Sequence, residues 1–262
     1  MWLLAASASL LPAVLLLSSR YRGEAAALWR RAAAWLLGLL RGRVCVRSTH
    51  AFVFTNCTHG KVHSVLETFD LYTKTHPSAS VGPQIGELLD EVVGRLRPLL
   101  VLELGMHCAY SSVRLLRLMP PAGRLITVEL DPVTADLGEE IILVSGFKHS
   151  QFQVLACSSA EAISNMPSHL EPHEKTGAGF SLVLMDHDPE QYLPDLLSLE
   201  RQQLLCPSGC SLLLVKRDQR SAGLGRVLDH IRGQADRYSV TRDLQVLTEV
   251  FYRTDGLTAR ST

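Results

Sequence analysis

Two segments of this 262-residue sequence combine residue types and spacings that could bind a nucleotide and act on a second ligand. In the first, residues 101–111 (VLELGMHCAYS), an apolar strand pattern runs into a turn of small residues and then into a helical pattern. Gly105 allows close approach to the backbone, and amides at the start of a helix can receive a polar group. Both the phosphate-loop pattern and the dinucleotide glycine pattern are absent. The turn therefore predicts a nucleotide site that is not a phosphate loop.

Two acids accompany this turn. Glu129 ends the next strand pattern, residues 125–129, where a carboxylate can accept hydrogen bonds from both hydroxyls of a ribose. The alternative for Glu129 is a solvated charge at a strand end, and the preceding turn favours ribose binding. Glu103 lies inside an apolar strand, where an ionised carboxylate is costly unless it is paired. It binds a ligand's amino group or makes a structural hydrogen bond, and both interpretations stay open.

The second polar segment follows the apolar run at residues 182–185. Asp186 could ligate a metal ion or simply cap the following helix. His187 could serve a site, but a lone histidine is more often packed or hydrogen-bonded. Cys206 and Cys210 lack a second Cys or His pair nearby, which favours buried apolar side chains over a metal site.

Alternating strand and helix patterns position these residues from about residue 49 to the end of the chain. The strand patterns lie at residues 99–104, 125–129, 152–155, 182–185, 211–215 and 246–252. Helical patterns lie at residues 65–71, 85–96, 111–118, 133–144, 160–166, 192–204 and 225–231. This alternation predicts a doubly wound α/β fold with a mostly parallel sheet covered on both faces. Ligands of such sheets bind beyond the carboxyl ends of the strands.

The first 48 residues have a different composition. Residues 1–19 contain no charged side chain and are long enough to cross a bilayer as a helix, which predicts a transmembrane anchor. Arginines are frequent in residues 20–48, which predicts a basic interfacial helix and a single-pass topology that leaves residues 49–262 in the cytosol. A cleaved signal peptide is the alternative, although the basic n-region is missing. The sequon at Asn56 would need the opposite topology, and we expect it to be unused.

The bulk composition narrows the classes of partner. Lysine and arginine number 26, as do aspartate and glutamate, so overall charge gives no reason to expect nucleic-acid binding. A hydrophobic content of 47% supports one substantial core. The six cysteines are spread along the chain, and we expect them to be reduced.

Taken together, these motifs resemble the catechol O-methyltransferase family, including its membrane-bound form. The similarity spans residues 64–252 and includes SVLETFD at 64–70, LELG at 102–105, LITVE at 125–129 and YLPD at 192–195. The resemblance implies a class I fold with a seven-stranded, Rossmann-like sheet that binds S-adenosylmethionine (SAM), and an acceptor that is a small aromatic hydroxyl. It implies that Glu129 binds the ribose of SAM. The other cofactor contacts implied are Val81, Glu103, Gly105, His107, Tyr110, Ser111, Ser158 and His187.

The reaction centre departs from the family pattern. In the family, magnesium is held by an aspartate, matched by Asp186, and by an Asp-Asn pair after the fifth strand. Depending on where a gap is placed, this chain has Val215 and Lys216 or Lys216 and Arg217 at that pair. Pro189 stands where the family has a lysine base. A lysine at a ligand position repels a cation, which argues against magnesium unless Asp218 moves in as a ligand. Lys216 would then supply positive charge or act as a base, or would merely pair with Asp186.

Three outcomes therefore stay open: metal-dependent catalysis, catalysis by altered chemistry, and no catalysis. The first function is a membrane-anchored methyltransferase of the catechol type, with Asp186 and Lys216 as catalytic residues. The second is a SAM-binding relative that has lost its chemistry and acts through protein partners, whose identity the sequence does not give. A nicotinamide dehydrogenase is disfavoured because the glycine fingerprint is missing.

Overall fold

The computed structural model describes residues 46–76, 82–175, 179–217 and 220–254. The predicted anchor, nearly all of the predicted interfacial segment, Val81 and Asp218 lie outside the described residues. Among the helices that are described, none is both long and apolar enough to span a membrane.

Seven strands and nine α-helices are found in the described residues. The strands are β1 (Leu100–Leu104), β2 (Arg124–Glu129), β3 (Phe152–Ala156), β4 (Leu182–Met185), β5 (Cys210–Val215), β6 (Tyr238–Asp243) and β7 (Leu247–Tyr252). The helices are α1 (Val46–Asn56), α2 (Val62–Thr75), α3 (Pro83–Leu96), α4 (Tyr110–Leu118), α5 (Pro132–Val144), α6 (Ser159–His169), α7 (Pro172–Lys175), α8 (Tyr192–Arg201) and α9 (Ala222–Gly233). A 3₁₀ turn, Pro189–Gln191, leads into α8.

The strands form one sheet in the order β3-β2-β1-β4-β5-β7-β6. The first five are parallel to their neighbours, and β7 runs antiparallel between β5 and β6. Successive residues of β1 alternate between two hydrophobic clusters, with Leu102 in one and Val101 in the other, so both faces of the sheet are buried. The doubly wound, mostly parallel seven-stranded fold predicted from the sequence is confirmed.

Three elements had no clear pattern in the sequence: α1, β6 and the one-turn helix α7. Strand β6 carries mostly exposed side chains and pairs only with β7, so it lacks the apolar run of a central strand. Helix α1 begins at Val46, a few residues before the change in composition near residue 49, and contacts α5. The helix expected to extend to residue 204 ends at Arg201.

Glycine and tyrosine contacts hold the carboxyl ends of the central strands together. Gly105 has φ = 97°, and a Cβ there would lie 2.5 Å from the carbonyl oxygen of Asp186, so the position requires glycine on both counts. The Gly105 amide donates to Val128 O at 2.9 Å. The buried Tyr192 hydroxyl reaches Met185 O at 2.8 Å and Val215 O at 3.0 Å. The ends of β1, β2, β4 and β5 therefore have a fixed spacing.

Candidate active site

The turn between β1 and α4 connects three strand ends. His107 has φ = 51° and Ala109 has φ = 63°, both in the left-handed region that non-glycine residues rarely adopt. The amide of His107 donates to Glu129 Oε2 at 3.0 Å, and its ring Nε2 lies 3.0 Å from the carbonyl oxygen of Asp186. The turn thus brings Gly105, His107, Glu129 and Asp186 together, as their places after β1, β2 and β4 predict.

Glu129 is half-buried and held by backbone amides. Its Oε2 accepts from His107 N, and its Oε1 accepts from Asp131 N at 3.1 Å. Each carboxylate oxygen has a second lone pair. The carboxylate is therefore oriented and can still accept further hydrogen bonds, which fits an acid that receives ribose hydroxyls.

Glu103 is fully buried in β1. Its Oε2 accepts from Ser112 Oγ at 2.5 Å and from Thr127 Oγ1 at 2.7 Å. Burial raises the pKa of Glu103 to about 7, against the hydrogen bonds of nearby hydroxyls that lower it. Its Oε1 has no hydrogen-bond partner among the described residues. The structural hydrogen bond considered from the sequence is present at Oε2, and Oε1 is an acceptor that a ligand's amino group would satisfy.

Asp186 and Arg217 form a two-pronged ion pair at the ends of β4 and β5. Arg217 Nε donates to Oδ1 at 2.5 Å and Nη2 donates to Oδ2 at 2.6 Å. The Asp186 side chain is fully buried, whereas that of Arg217 is 24% exposed. This fork geometry is the strongest arrangement of a guanidinium with a carboxylate. Both oxygens of the predicted metal ligand are therefore already bound by a cation.

The side chain of Lys216 is directed at β6 and not at Asp186. Its Nζ lies 2.5 Å from Asp243 Oδ1 at the end of β6, and its amide donates to Val246 O at 2.9 Å. Strand β5 ends at Val215, and the two residues that follow it direct their side chains to different carboxylates, Lys216 to Asp243 and Arg217 to Asp186. The predicted ion pair of Lys216 with Asp186 is wrong, and Arg217 makes it instead. The sequence did contain a signal for Arg217, because a gap placed one residue later in the comparison with the family aligns Arg217 with a metal-ligand position.

The remaining predicted cofactor residues are held by their own partners. The Tyr110 hydroxyl donates to Asp70 Oδ1 at 2.7 Å and accepts from Arg114 Nη2 at 2.8 Å, so it is directed at α2. Burial raises the pKa of Tyr110. Ser111 is buried in the first turn of α4. The hydroxyl of Ser158 caps α6 by accepting from Glu161 N at 3.2 Å.

His187 is packed and hydrogen-bonded at the start of the loop after β4. Its Nε2 lies 2.8 Å from Oδ2 of Asp195, whose side chain is buried, and its ring centroid is 5.1 Å from that of Tyr192. Its Nδ1 is buried with no partner in the described part of the chain. This matches the packed role considered for His187 and leaves one ring nitrogen for a ligand.

Sequence comparison assigns the family. Residues 58–200, more than half of the chain, match the protein family described as O-methyltransferase. The chain belongs to the O-methyltransferase family. It is 35% identical to the mouse transmembrane O-methyltransferase homolog over 211 residues, which cover 78% of this chain and 77% of the relative.

Other relatives are matched over a smaller part of their length. The human transmembrane O-methyltransferase is 36% identical over 62% of this chain and 54% of its own. Catechol O-methyltransferase B of Danio rerio is 36% identical over 60% of this chain and 55% of its own. The match to the rat transmembrane O-methyltransferase homolog covers 61% of that protein.

Solved structures share the fold. An O-methyltransferase from Bacillus cereus in complex with SAH superposes with a TM-score of 0.55 at 18% identity, covering 72% of this chain and 86% of that one. TomG from Streptomyces achromogenes in complex with SAM has a TM-score of 0.54 at 20% identity, covering 71% and 86%. The fold is the class I, Rossmann-like fold of SAM-dependent methyltransferases.

The ends of β4 and β5, at Asp186 and Arg217, do not fit a magnesium ion. Magnesium needs oxygen ligands, of which one or two are carboxylates, and both oxygens of Asp186 are bound to the Arg217 guanidinium. The positive charge of that guanidinium repels a second cation. Within the described residues, no group of three or more His, Cys, Asp and Glu side chains could hold a metal ion.

The base position is also changed and firmly packed. Pro189 begins the 3₁₀ turn, and the next residue, Glu190, accepts from Gly223 N at 2.9 Å and from Arg226 Nη2 at 2.6 Å. A Cβ at Gly223 would lie 2.2 Å from Pro189 O. The turn that carries the base in the family is thus fixed against α9 and presents a residue that cannot accept a proton.

Proposed function

We propose that this chain binds SAM and transfers its methyl group to a hydroxyl of a small aromatic acceptor. The observation that carries the proposal is the contact of the His107 amide with Glu129, which orients an acid beside the turn that begins α4. The unpartnered Glu103 Oε1 supports it, because a buried acceptor needs a donor such as the amino group of SAM.

In this proposal Glu129 receives the ribose, and Glu103, Gly105 and Ser111 surround the methionine end of SAM. His107, Tyr110, Ser158, His187 and Val81 complete the predicted contacts. Tyr110 contributes its ring rather than its hydroxyl, because the hydroxyl is bound to Asp70 and Arg114. When bound, SAM supplies an electrophilic methyl group on a sulfonium centre.

The acceptor would lie beside the Asp186–Arg217 pair. The guanidinium keeps its charge at any physiological pH and favours a negatively charged oxygen nearby. Pro189 cannot take the proton of the acceptor hydroxyl. We therefore propose an acceptor acidic enough to lose its proton to water before the methyl group is transferred.

Membrane attachment belongs to the same proposal. Residues 1–19 would anchor the chain, with the α/β domain in the cytosol. The uncharged stretch of the sequence and the names of the transmembrane O-methyltransferase relatives support this placement.

A second candidate is a SAM-binding relative that acts through protein partners without methyl transfer. The specific observation in its favour is that Asp186 is neutralised by Arg217 while Pro189 replaces the base. The two candidates share the cofactor site and differ only in turnover.

One experiment separates them. The full chain in detergent micelles would be titrated with SAM by calorimetry and assayed for transfer of labelled methyl to 4-nitrocatechol and to 4-nitrophenol, whose hydroxyls ionise in water near neutral pH, with and without chelator. Binding with turnover supports the enzyme, and binding without turnover supports the second candidate. Glu129→Gln should weaken SAM binding, whereas Asp229→Asn, at an exposed ion pair on α9, should not. Absence of SAM binding would contradict both.

A further inference from the structure

Arg217 stands where a divalent cation would have to bind. We infer that the Arg217 guanidinium takes the place of a divalent metal ion, so that this site binds no divalent metal. We also infer that replacing Arg217 alone allows a divalent metal ion to bind there. The inference concerns metal binding and does not depend on methyl transfer.

The first step is that Asp186 cannot turn away from Arg217. Its amide donates to Leu104 O at 2.8 Å, its carbonyl oxygen meets His107 Nε2, and a Cβ at Gly105 would touch that same oxygen. Its side chain is fully buried. A metal ion that approached this carboxylate would therefore meet the positive charge of the guanidinium, which repels it.

The second step is that no change of pH within the stable range of a protein removes the competing charge. An arginine in a protein stays protonated, unlike a lysine, whose pKa falls readily on burial. The charge and hydrogen bonds of Asp186 raise the pKa of Arg217 further, against the burial that lowers it. The site is therefore closed to metal under all assay conditions.

The third step is that the surroundings would suit a cation once Arg217 is gone. The other nearby cation, Lys216, is directed at Asp243. Arg217→Asn would leave the Asp186 carboxylate without a bound cation and add an amide oxygen, and magnesium and manganese accept such oxygens together with water.

One consequence rests on the proposed function. A metal chelates two vicinal oxygens, whereas a guanidinium already bound to Asp186 does not. We therefore expect the acceptor to need only one hydroxyl, so that a monohydric phenol and a catechol react at similar rates and chelator changes neither.

The test is a titration of the full chain with Mn²⁺, followed by calorimetry and by the magnetic resonance signal of free Mn²⁺. We expect Arg217→Asn to bind Mn²⁺ about tenfold or more tightly than wild type, because a repelling charge is removed. Arg226→Asn is the matched control: it makes the same change at an exposed ion pair, with Glu190, and should leave Mn²⁺ binding as in wild type. Asp186→Asn in the Arg217→Asn background should abolish the gain.

Two results would overturn the inference. One is Mn²⁺ binding by the wild-type chain that Asp186→Asn removes, a comparison that needs no Arg217 variant. The other is Mn²⁺ binding by Arg217→Asn no tighter than by Arg226→Asn. If Arg217→Asn does not fold, Arg217→Gln replaces it, since it also removes the charge and adds an amide oxygen on a longer side chain. These titrations use no SAM, so their outcome is separate from that of the methyl-transfer assay.

Discussion

The two halves of the same sheet edge differ in how their geometry is fixed. On the β1–β2 side, a glycine, backbone amides and two acids define the site, and it tolerates His107 and Ala109 in left-handed conformations. On the β4–β5 side, the site depends on a few side chains, and Asp186 is bound to Arg217. In the proposed function, SAM recognition would therefore depend mainly on the backbone of the turn, whereas one arginine after β5 would decide the chemistry available to the acceptor.

The largest expected effect is a loss of stability when the ion pair on the β4–β5 side is broken. Asp186→Asn leaves a largely buried guanidinium without its counter-charge and should lower the free energy of unfolding by about 3–5 kcal/mol. Urea denaturation at neutral pH measures this. Asp229→Asn, at an exposed pair with Arg232, is the control and should change stability by less than about 1 kcal/mol. Equal effects of the two substitutions would mean that the buried ion pair contributes no more to stability than the exposed one.

The next largest expected effect is a pH dependence of stability caused by Glu103, on the β1–β2 side of the sheet edge. The pKa of Glu103 is about 7 in the folded chain and 4.5 in the reference state, so the folded state holds a proton that the unfolded state releases. Stability should therefore fall as pH rises from about 4.5 to about 7, by up to about 3 kcal/mol in total.

The control for this dependence is Glu103→Gln, which removes the titrating group and keeps its shape. Urea denaturation of both proteins at roughly pH 5 and pH 8 should give a larger loss for wild type than for Glu103→Gln. Parallel losses would show that Glu103 does not titrate in this range.

A third, smaller effect is expected at Gly105, which lies against Asp186 and so connects the β1–β2 side with the β4–β5 side. Gly105→Ala places a Cβ 2.5 Å from Asp186 O at φ = 97°, and should cost about 2 kcal/mol or more and abolish SAM binding. Gly94→Ala is the matched control: that glycine lies inside α3 with open space around it, so the change should stabilise the chain by about 0.5–1 kcal/mol. SAM binding retained in Gly105→Ala would place the cofactor elsewhere.

How far the sequence predicts this molecule depends on what fixes each feature. The central strands follow from apolar runs, and Gly105 and Glu129 from their places at the ends of adjacent strands. Strand β6 could not be predicted in this way, because an edge strand with exposed side chains has no apolar run.

The roles of Lys216 and Arg217 could not be predicted for a different reason. Both residues follow the end of β5, where the chain leaves the sheet, and the directions of their side chains depend on the local backbone there and not on the apolar pattern of the strand. The sequence indicated Asp186 and a cation after β5, and Lys216 was the residue expected, whereas the structure pairs Asp186 with Arg217.

The smallest expected effect comes from replacing Lys216, and its comparison with Arg217 tests which of the two residues stabilises Asp186. Lys216→Ala removes an ion pair with Asp243, whose side chain is 55% exposed, and should change stability by about 1 kcal/mol or less while SAM affinity stays unchanged. Arg217→Ala should be several-fold more destabilising, because it leaves the buried Asp186 carboxylate unpaired. If Lys216→Ala instead abolishes methyl transfer while SAM binding and stability are kept, Lys216 serves the acceptor and the assignment of that role to Arg217 is wrong.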